Sequence, residues 1–159
     1  MNSKEQNDFL KSWYDDTMQS CFPDADELIR RGTGFSNPVG QTLQQAMRII
    51  LADLPAAGDL ESLRPPLDRI VRILAVQGLP AGTSVHFLFL LRNLLESASD
   101  IPAEEKRLWI QRLDALAEIA VEIWCECRET LFQLQINGLR KRIQFLEAGS
   151  TPKEEGGIA

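Results

Sequence analysis

The stretch from Ala103 to Ala148 constrains the fold more than any other part of this 159-residue chain. It contains no proline and a single glycine, Gly138. Its apolar residues recur at intervals of three or four residues, which is the spacing of one face of an α-helix. That face comprises Trp109, Leu113, Leu116, Ala120, Ile123, Cys127, Leu131 and Leu134. The pattern therefore predicts one long C-terminal helix.

A second run of apolar residues continues this rhythm on a rotated face of the same helix. Its members are Phe132, Ile136, Leu139, Ile143 and Leu146. An unbroken helix over the whole stretch would be about 70 Å long, whereas a compact domain of this size is only about 40 Å across. The helix therefore either bends back into the body or runs past it and pairs with another chain. We expect the second, in a homodimer whose interface contains Leu131, Leu134, Leu139, Ile143 and Leu146.

Proline, glycine and capping residues divide the rest of the chain into shorter helices. We predict helices over residues 4–20, 24–31, 38–53, 59–63, 67–76 and 83–97. Asn37 is a good N-cap before Pro38, and Thr83 or Ser84 would cap the last helix of the set. The sequence has no alternating strand pattern. It predicts an all-α, single helical-bundle domain over residues 1–148, followed by a polar and disordered tail at 149–159.

Charge and cysteine usage narrow the classes of function. The net charge of −6 and the pI near 4.9 argue against nucleic-acid binding, which needs a positive surface. No apolar run reaches the roughly 18–20 residues of a membrane span, and residues 1–11 lack the apolar core of a signal peptide. Three cysteines without an export signal indicate reduced thiols. We therefore expect a cytoplasmic protein that does not bind nucleic acid and does not insert into a membrane.

The residues that might carry chemistry fit no catalytic or metal-binding pattern. Cys125 and Cys127 are two residues apart, so a helix points them in nearly opposite directions and they cannot chelate one ion. Four glutamates form an acidic stripe but lack the Glu-x-x-His pairing of di-iron bundles. We expect this stripe to be solvated and offset by Arg112 and Arg128. Its members are Glu118, Glu122, Glu126 and Glu129. We therefore expect no enzyme, no metal and no cofactor.

Four polar residues remain as candidates for a ligand site. Arg72 interrupts an apolar run, and Gln77 ends the same helix opposite the Asn37 loop. These residues are either surface and cap groups, or they anchor a loop or a small acidic ligand. His86 is the only histidine and stands in an apolar helix start. It is either a core or capping histidine or a haem ligand.

Three stretches of sequence carry a resemblance to a known family. They are Phe35–Gly40, then Ile70–Gln77 with Ser84–Val85 and Phe87–Leu91, and finally Ile123–Trp124, Cys127–Glu129 and Asn137–Arg142. Their order and spacing, over most of residues 9–147, resemble the RsbRD N-terminal domain family. This family is the sensor-like region of stressosome RsbR-type proteins and also occurs as stand-alone proteins. The resemblance implies a dimeric all-helical domain, with a haem-free globin-like fold as one alternative. In the family the last helix leads into a phosphorylatable STAS domain, whereas we expect this chain to be a stand-alone form without that domain.

We therefore expect a non-enzymatic sensory or regulatory interaction module that dimerises through its long C-terminal helix. Its input would be a small ligand or a partner protein near Asn37, Arg72 and Gln77, and its output a change in the pose of the helix. Two alternatives stay open. One is a domain that binds haem or another small ligand beside His86. The other is an accessory subunit that docks on a larger signalling or respiratory complex through the acidic stripe or the basic cluster Arg140–Arg142.

Overall fold

The computed structural model describes residues 3–24, 38–56 and 58–150, and these form helices without any strand. The predicted all-α class and the long C-terminal helix are confirmed. The elements of the described residues are α1 (Ser3–Cys21), α2 (Pro38–Asp53), a 3₁₀ turn (Leu60–Leu63), α3 (Arg64–Val76), α4 (Ala81–Ser97) and α5 (Ala103–Gly149). The predicted helix over 24–31 and most of the predicted tail lie outside the described residues.

The core lies between the first half of α5 and the helices that pack around it. Helices α3 and α4 both contact α5, while α1 packs on α4 and α2 packs on α3. Trp13 of α1 is fully buried, stacks on Phe87 of α4 with ring centroids 6.2 Å apart, and donates from Nε1 to the Phe87 carbonyl at 2.6 Å. A buried indole needs such a hydrogen-bond acceptor. This pair therefore fixes α1 against α4.

Local chemistry explains most of the helix boundaries. The Asp59 carboxylate accepts from the Glu61 amide at 3.0 Å and caps the 3₁₀ turn, as predicted. Helix α3 ends in a Schellman turn: Gly78 has a φ of 82°, and the Leu79 amide donates to the Leu74 carbonyl. Glycine at Gly78 is favoured because other residues rarely adopt a positive φ.

The predicted N-cap of α4 is wrong by three to four residues. The helix begins at Ala81 with Pro80 before it, so neither Thr83 nor Ser84 is its cap. Ser84 is buried inside the first turns, and its hydroxyl donates to the Leu79 carbonyl at 3.3 Å. Pro80 has the extended backbone that precedes a helix, and the fixed φ of proline favours it there, so the helix begins without a hydroxyl cap.

Helix α5 is continuous over 47 residues and leaves the body part-way along its length. Its buried residues end at Cys127. From Arg128 to Ser150 every residue is exposed except Leu131 and Ile136, which are half-buried. The prediction of a helix that runs past the body is confirmed, and its pairing with a second chain stays a prediction.

Within the described residues, no helix combines the length and the hydropathy that crossing a membrane requires.

Candidate functional site

Arg72 lies on the side of α3 that faces α5, in an open cleft of about 550 Å³. Its Nε donates to both carboxylate oxygens of Asp68 at 2.8 Å. Its Nη2 lies 3.9 Å from the Glu126 carboxylate, which also lies 3.7 Å from Nη2 of Arg64. The hydrogen bond to Asp68 is the main reason that the pKa of Arg72 is raised above its ordinary value. The guanidinium is thus shared between α3 and α5.

The far wall of this cleft belongs to the part of α5 where the helix leaves the body. The cleft is lined by Arg72, Glu126, Glu129, Thr130, Gln133 and Leu134. Two carboxylates and one guanidinium line it, and the guanidinium is already paired. An acidic ligand would have to displace Asp68 or Glu126 from Arg72, whereas a cationic group would find both glutamates accessible. The ion pairs themselves are solvent-accessible and contribute little stability.

The structure separates the other candidates for ligand binding from Arg72. Gln77 is an exposed C-cap at the end of α3, and His86 is exposed on α4. His86 is exposed on the solvent side of α4, between the buried Val85 and Phe87, so the expectation of a core histidine is wrong. Among the described residues, no hydrogen bond or ion pair joins Arg72, Gln77 and His86 to one another. Asn37 lies outside the described residues.

Trp124 is a functional candidate that sequence reasoning missed. Its indole Nε1 donates to the Leu79 carbonyl at 3.1 Å, and the Arg128 guanidinium lies 5.9 Å from the centre of its ring. Leu79 belongs to the connector between α3 and α4, so Trp124 fastens that connector to α5. The signal in the sequence was a tryptophan on the edge of the apolar face, since a half-buried indole usually finds an acceptor.

The acidic stripe is solvated as predicted, but its counter-charges are different residues. Glu126 is paired by Arg64 and Arg72. Arg112 instead donates to the carbonyls of Leu54 and Pro55 at 2.6 and 2.7 Å, and Arg128 lies over Trp124. The expectation that Arg112 and Arg128 offset the stripe is therefore wrong. Both are used to hold neighbouring backbone or ring groups.

The two neighbouring cysteines of α5 point away from each other, as their spacing predicts. Cys125 is exposed and Cys127 is buried, so the two thiols point to opposite sides of α5. No group of three or more potential metal ligands occurs in the part of the chain that the structure describes. The absence of a cofactor and of catalytic activity stays a prediction.

The predicted dimer residues lie on two different faces of the exposed half of α5. A helix turns about 100° per residue, so Leu131 and Leu134 continue the body-facing side. We call this side, with Gly138, Lys141 and Phe145, the inner stripe. Leu139, Ile143 and Leu146 lie about 140° away, together with Phe132 and Ile136, and we call these five the outer seam. The large apolar side chains of both faces are exposed by more than half, except Ile136 and Leu131, which are half-buried.

Comparison of the chain with protein-family models, with curated protein sequences and with solved structures finds no significant match. The resemblance to the RsbRD N-terminal domain family and the globin-like alternative therefore stay predictions.

Proposed function

We propose that this chain is a non-enzymatic regulatory module that forms a homodimer through α5 and transmits a signal through the pose of that helix. One observation carries the proposal. The helix is continuous for 47 residues, yet its buried face ends at Cys127, and large apolar side chains remain exposed beyond that point.

The exposed half of α5 needs a partner for physical reasons. Most helix stability in proteins comes from packing an apolar face rather than from intrinsic propensity, and the exposed half of α5 has no such packing within one chain. Single exposed apolar residues are ordinary, but a row of them along one element marks an interaction surface. A dimer is also what the predicted resemblance to the RsbRD N-terminal domain family implies.

The input side of the proposal rests on the contacts around Arg72 and Trp124. Both residues connect α5 to the end of α3 or to its connector. A small ligand or partner that engages Arg72 would compete with Glu126 for the guanidinium and so change how α5 is held. A cytoplasmic location is part of the proposal and is supported by three cysteines that form no disulfide.

A second candidate function is favoured by one feature of the surface. Arg140, Lys141 and Arg142 are exposed on the free half of α5, although the chain as a whole is acidic. Such a cluster suits an acidic protein surface. In this alternative the module is an accessory subunit of a larger signalling or respiratory assembly, and high salt would release the partner.

The homodimer is tested by sedimentation equilibrium of the full chain and of a variant with Leu139→Asp and Ile143→Asp. A matched control carries Asn137→Asp and Gln144→Asp, which add the same charge on the opposite side of the helix. We expect dimers for the wild type and the control, and monomers with an intact body for the seam variant. A monomeric wild type, or a seam variant that dimerises as tightly as the control, would refute the proposal.

A further inference from the structure

The outer seam has the spacing of a coiled coil. Its residues follow one another at intervals of four, three, four and three, which is a repeat of seven with two apolar positions. Ile136 and Ile143 occupy the a positions of this repeat, and the d positions hold Phe132, Leu139 and Leu146. In a parallel coiled coil, β-branched residues at a with leucine at d favour a pair of helices over higher oligomers.

The inner stripe offers no comparable surface. The same spacing followed along it leads through Leu131, Leu134, Gly138, Lys141 and Phe145. Glycine provides no side chain to insert between the residues of a partner helix, and a buried lysine would lose its hydration. The choice between the two faces therefore falls on the outer seam.

The charges beside the seam select the orientation. In a parallel pair, each g position lies beside the following e position of the other helix. Arg142 is at g and Glu147 is at the following e, so each copy would place Arg142 beside Glu147 of the other copy. The two charges are opposite, which stabilises the parallel pair in register.

Antiparallel registers are each less favourable. Pairing Ile136 with Leu139 of the second copy brings Glu147 beside Glu126 of that copy. If the second helix is shifted by one heptad towards the body, Glu129 is buried against Leu139 of the other copy. If it is shifted by one heptad away from the body, Arg142 lies beside Arg142 of the other copy. Like charges that face each other across an interface are destabilising.

Acidic residues also limit how far the contact extends towards the N-terminus of α5. Continued towards the body, the same repeat places Glu129 and Glu122 at a positions and Glu118 at a d position, and all three are exposed. In a parallel pair each carboxylate would meet its own copy. The contact is therefore confined to the part of α5 that is C-terminal to Glu129. The two bodies lie at the N-terminal end of this contact and do not take part in it.

We infer that the outer seam pairs with the outer seam of a second copy of this chain, in parallel and in register, from Phe132 to the end of α5. The inference rests on the proposed function, because it takes the homodimer as given and specifies its face, direction and extent.

Disulfide trapping in the full chain tests the inference. All variants carry Cys125→Ser, which leaves only the buried Cys21 and Cys127. Leu146→Cys is added in one variant, and Phe145→Cys, the neighbouring and more exposed position, serves as the matched control. A mixture of the Leu146→Cys chain with a Glu129→Cys chain reports an antiparallel pair. Cross-links formed under mild oxidation are identified by mass spectrometry, since only closely approaching Cα atoms can be bridged.

We expect the Leu146→Cys chain to form its own cross-linked dimer at least tenfold faster than the Phe145→Cys chain, with no preferred link between positions 129 and 146. A dominant link between positions 129 and 146 would overturn the parallel orientation while leaving the proposed homodimer intact. Equal rates for the two single-cysteine chains would overturn the choice of face. A wild type that sediments as a monomer would remove both the inference and the proposed function.

Discussion

Truncating one residue of the outer seam to alanine should weaken the dimer in proportion to the apolar surface that pairing buries. Leu139 is 57% exposed in the single chain, so pairing has about that fraction of its side chain left to bury. Leu139→Ala removes three carbon groups, each worth about 0.8 kcal/mol when fully buried. The expected loss is about 1.4 kcal/mol in each copy, or about 2.7 kcal/mol for the dimer.

That free energy corresponds to a dissociation constant raised by up to about 100-fold. Alanine is the best helix former, so the substitution does not break α5 and the loss reports pairing alone. Ile143→Ala should behave similarly, because the side chain is 55% exposed and loses the same number of carbon groups. The measurement is sedimentation equilibrium, or fluorescence anisotropy of chains labelled at exposed Cys125, over a wide range of concentration.

Phe145→Ala provides the decisive comparison. Phe145 is 81% exposed, the largest exposed fraction among the large apolar residues of the described chain, but it lies on the inner stripe. If general stickiness of exposed apolar surface held the chains together, Phe145→Ala would weaken the dimer more than Leu139→Ala. We expect less than a threefold change for Phe145→Ala. The opposite ranking would refute the reasoning from the seam.

Two further predictions concern the stability of the body. Gly78→Ala should lower the free energy of unfolding by about 1–2 kcal/mol, because the position has a φ of 82°. Gly82→Ala should leave it unchanged or raise it by up to about 1 kcal/mol, because an added Cβ meets no atom within 4 Å; urea titration of both variants checks the difference in sign. Burial raises the pKa of the Cys21 thiol to about 11 from 9.0, so the folded state keeps this proton to a higher pH than the unfolded state does. Stability from this group is complete below pH 9 and is lost, by about 2–3 kcal/mol, as the pH rises to 11; a Cys21→Ala variant should show a shallower alkaline decline in urea titrations at stepwise pH.

The sequence predicted the parts of the fold that depend on periodicity and punctuation. The long helix was predicted from Ala103 to Ala148 and observed to Gly149, because a proline-free stretch with apolar residues at helical spacing has few alternatives. Asp59 predicts the 3₁₀ turn that it caps, and the helix predicted from Pro38 begins at that residue. The start of α4 was missed because Pro80 performs the task that hydroxyl caps usually perform.

The candidate site was much less predictable. Arg72 stands out as a charge in an apolar run, but its partner Glu126 is distant in sequence on α5, and Arg64 pairs with the same carboxylate. The acceptor of Trp124 is the backbone carbonyl of Leu79, and since every residue has such a carbonyl, the sequence does not indicate which one accepts the hydrogen bond. Which arginine neutralises which glutamate depends on how helices are rotated against each other, and helical spacing alone does not fix that rotation.

The polar contacts of Trp124 and Glu126 with the body lie immediately before the outer seam begins. A small change of angle at these contacts therefore produces a large displacement at the far end of the helix. Trp124 is bound to the α3–α4 connector and Glu126 to α3, while Leu146 lies about 33 Å further along the axis. A tilt of about 10° at Trp124 would displace Leu146 by about 6 Å, which exceeds the tolerance of a packed seam. A ligand that shifts the connector would therefore change pairing, and linkage requires the reverse: any ligand that tightens the dimer binds the dimer more tightly than the single chain by the corresponding free energy.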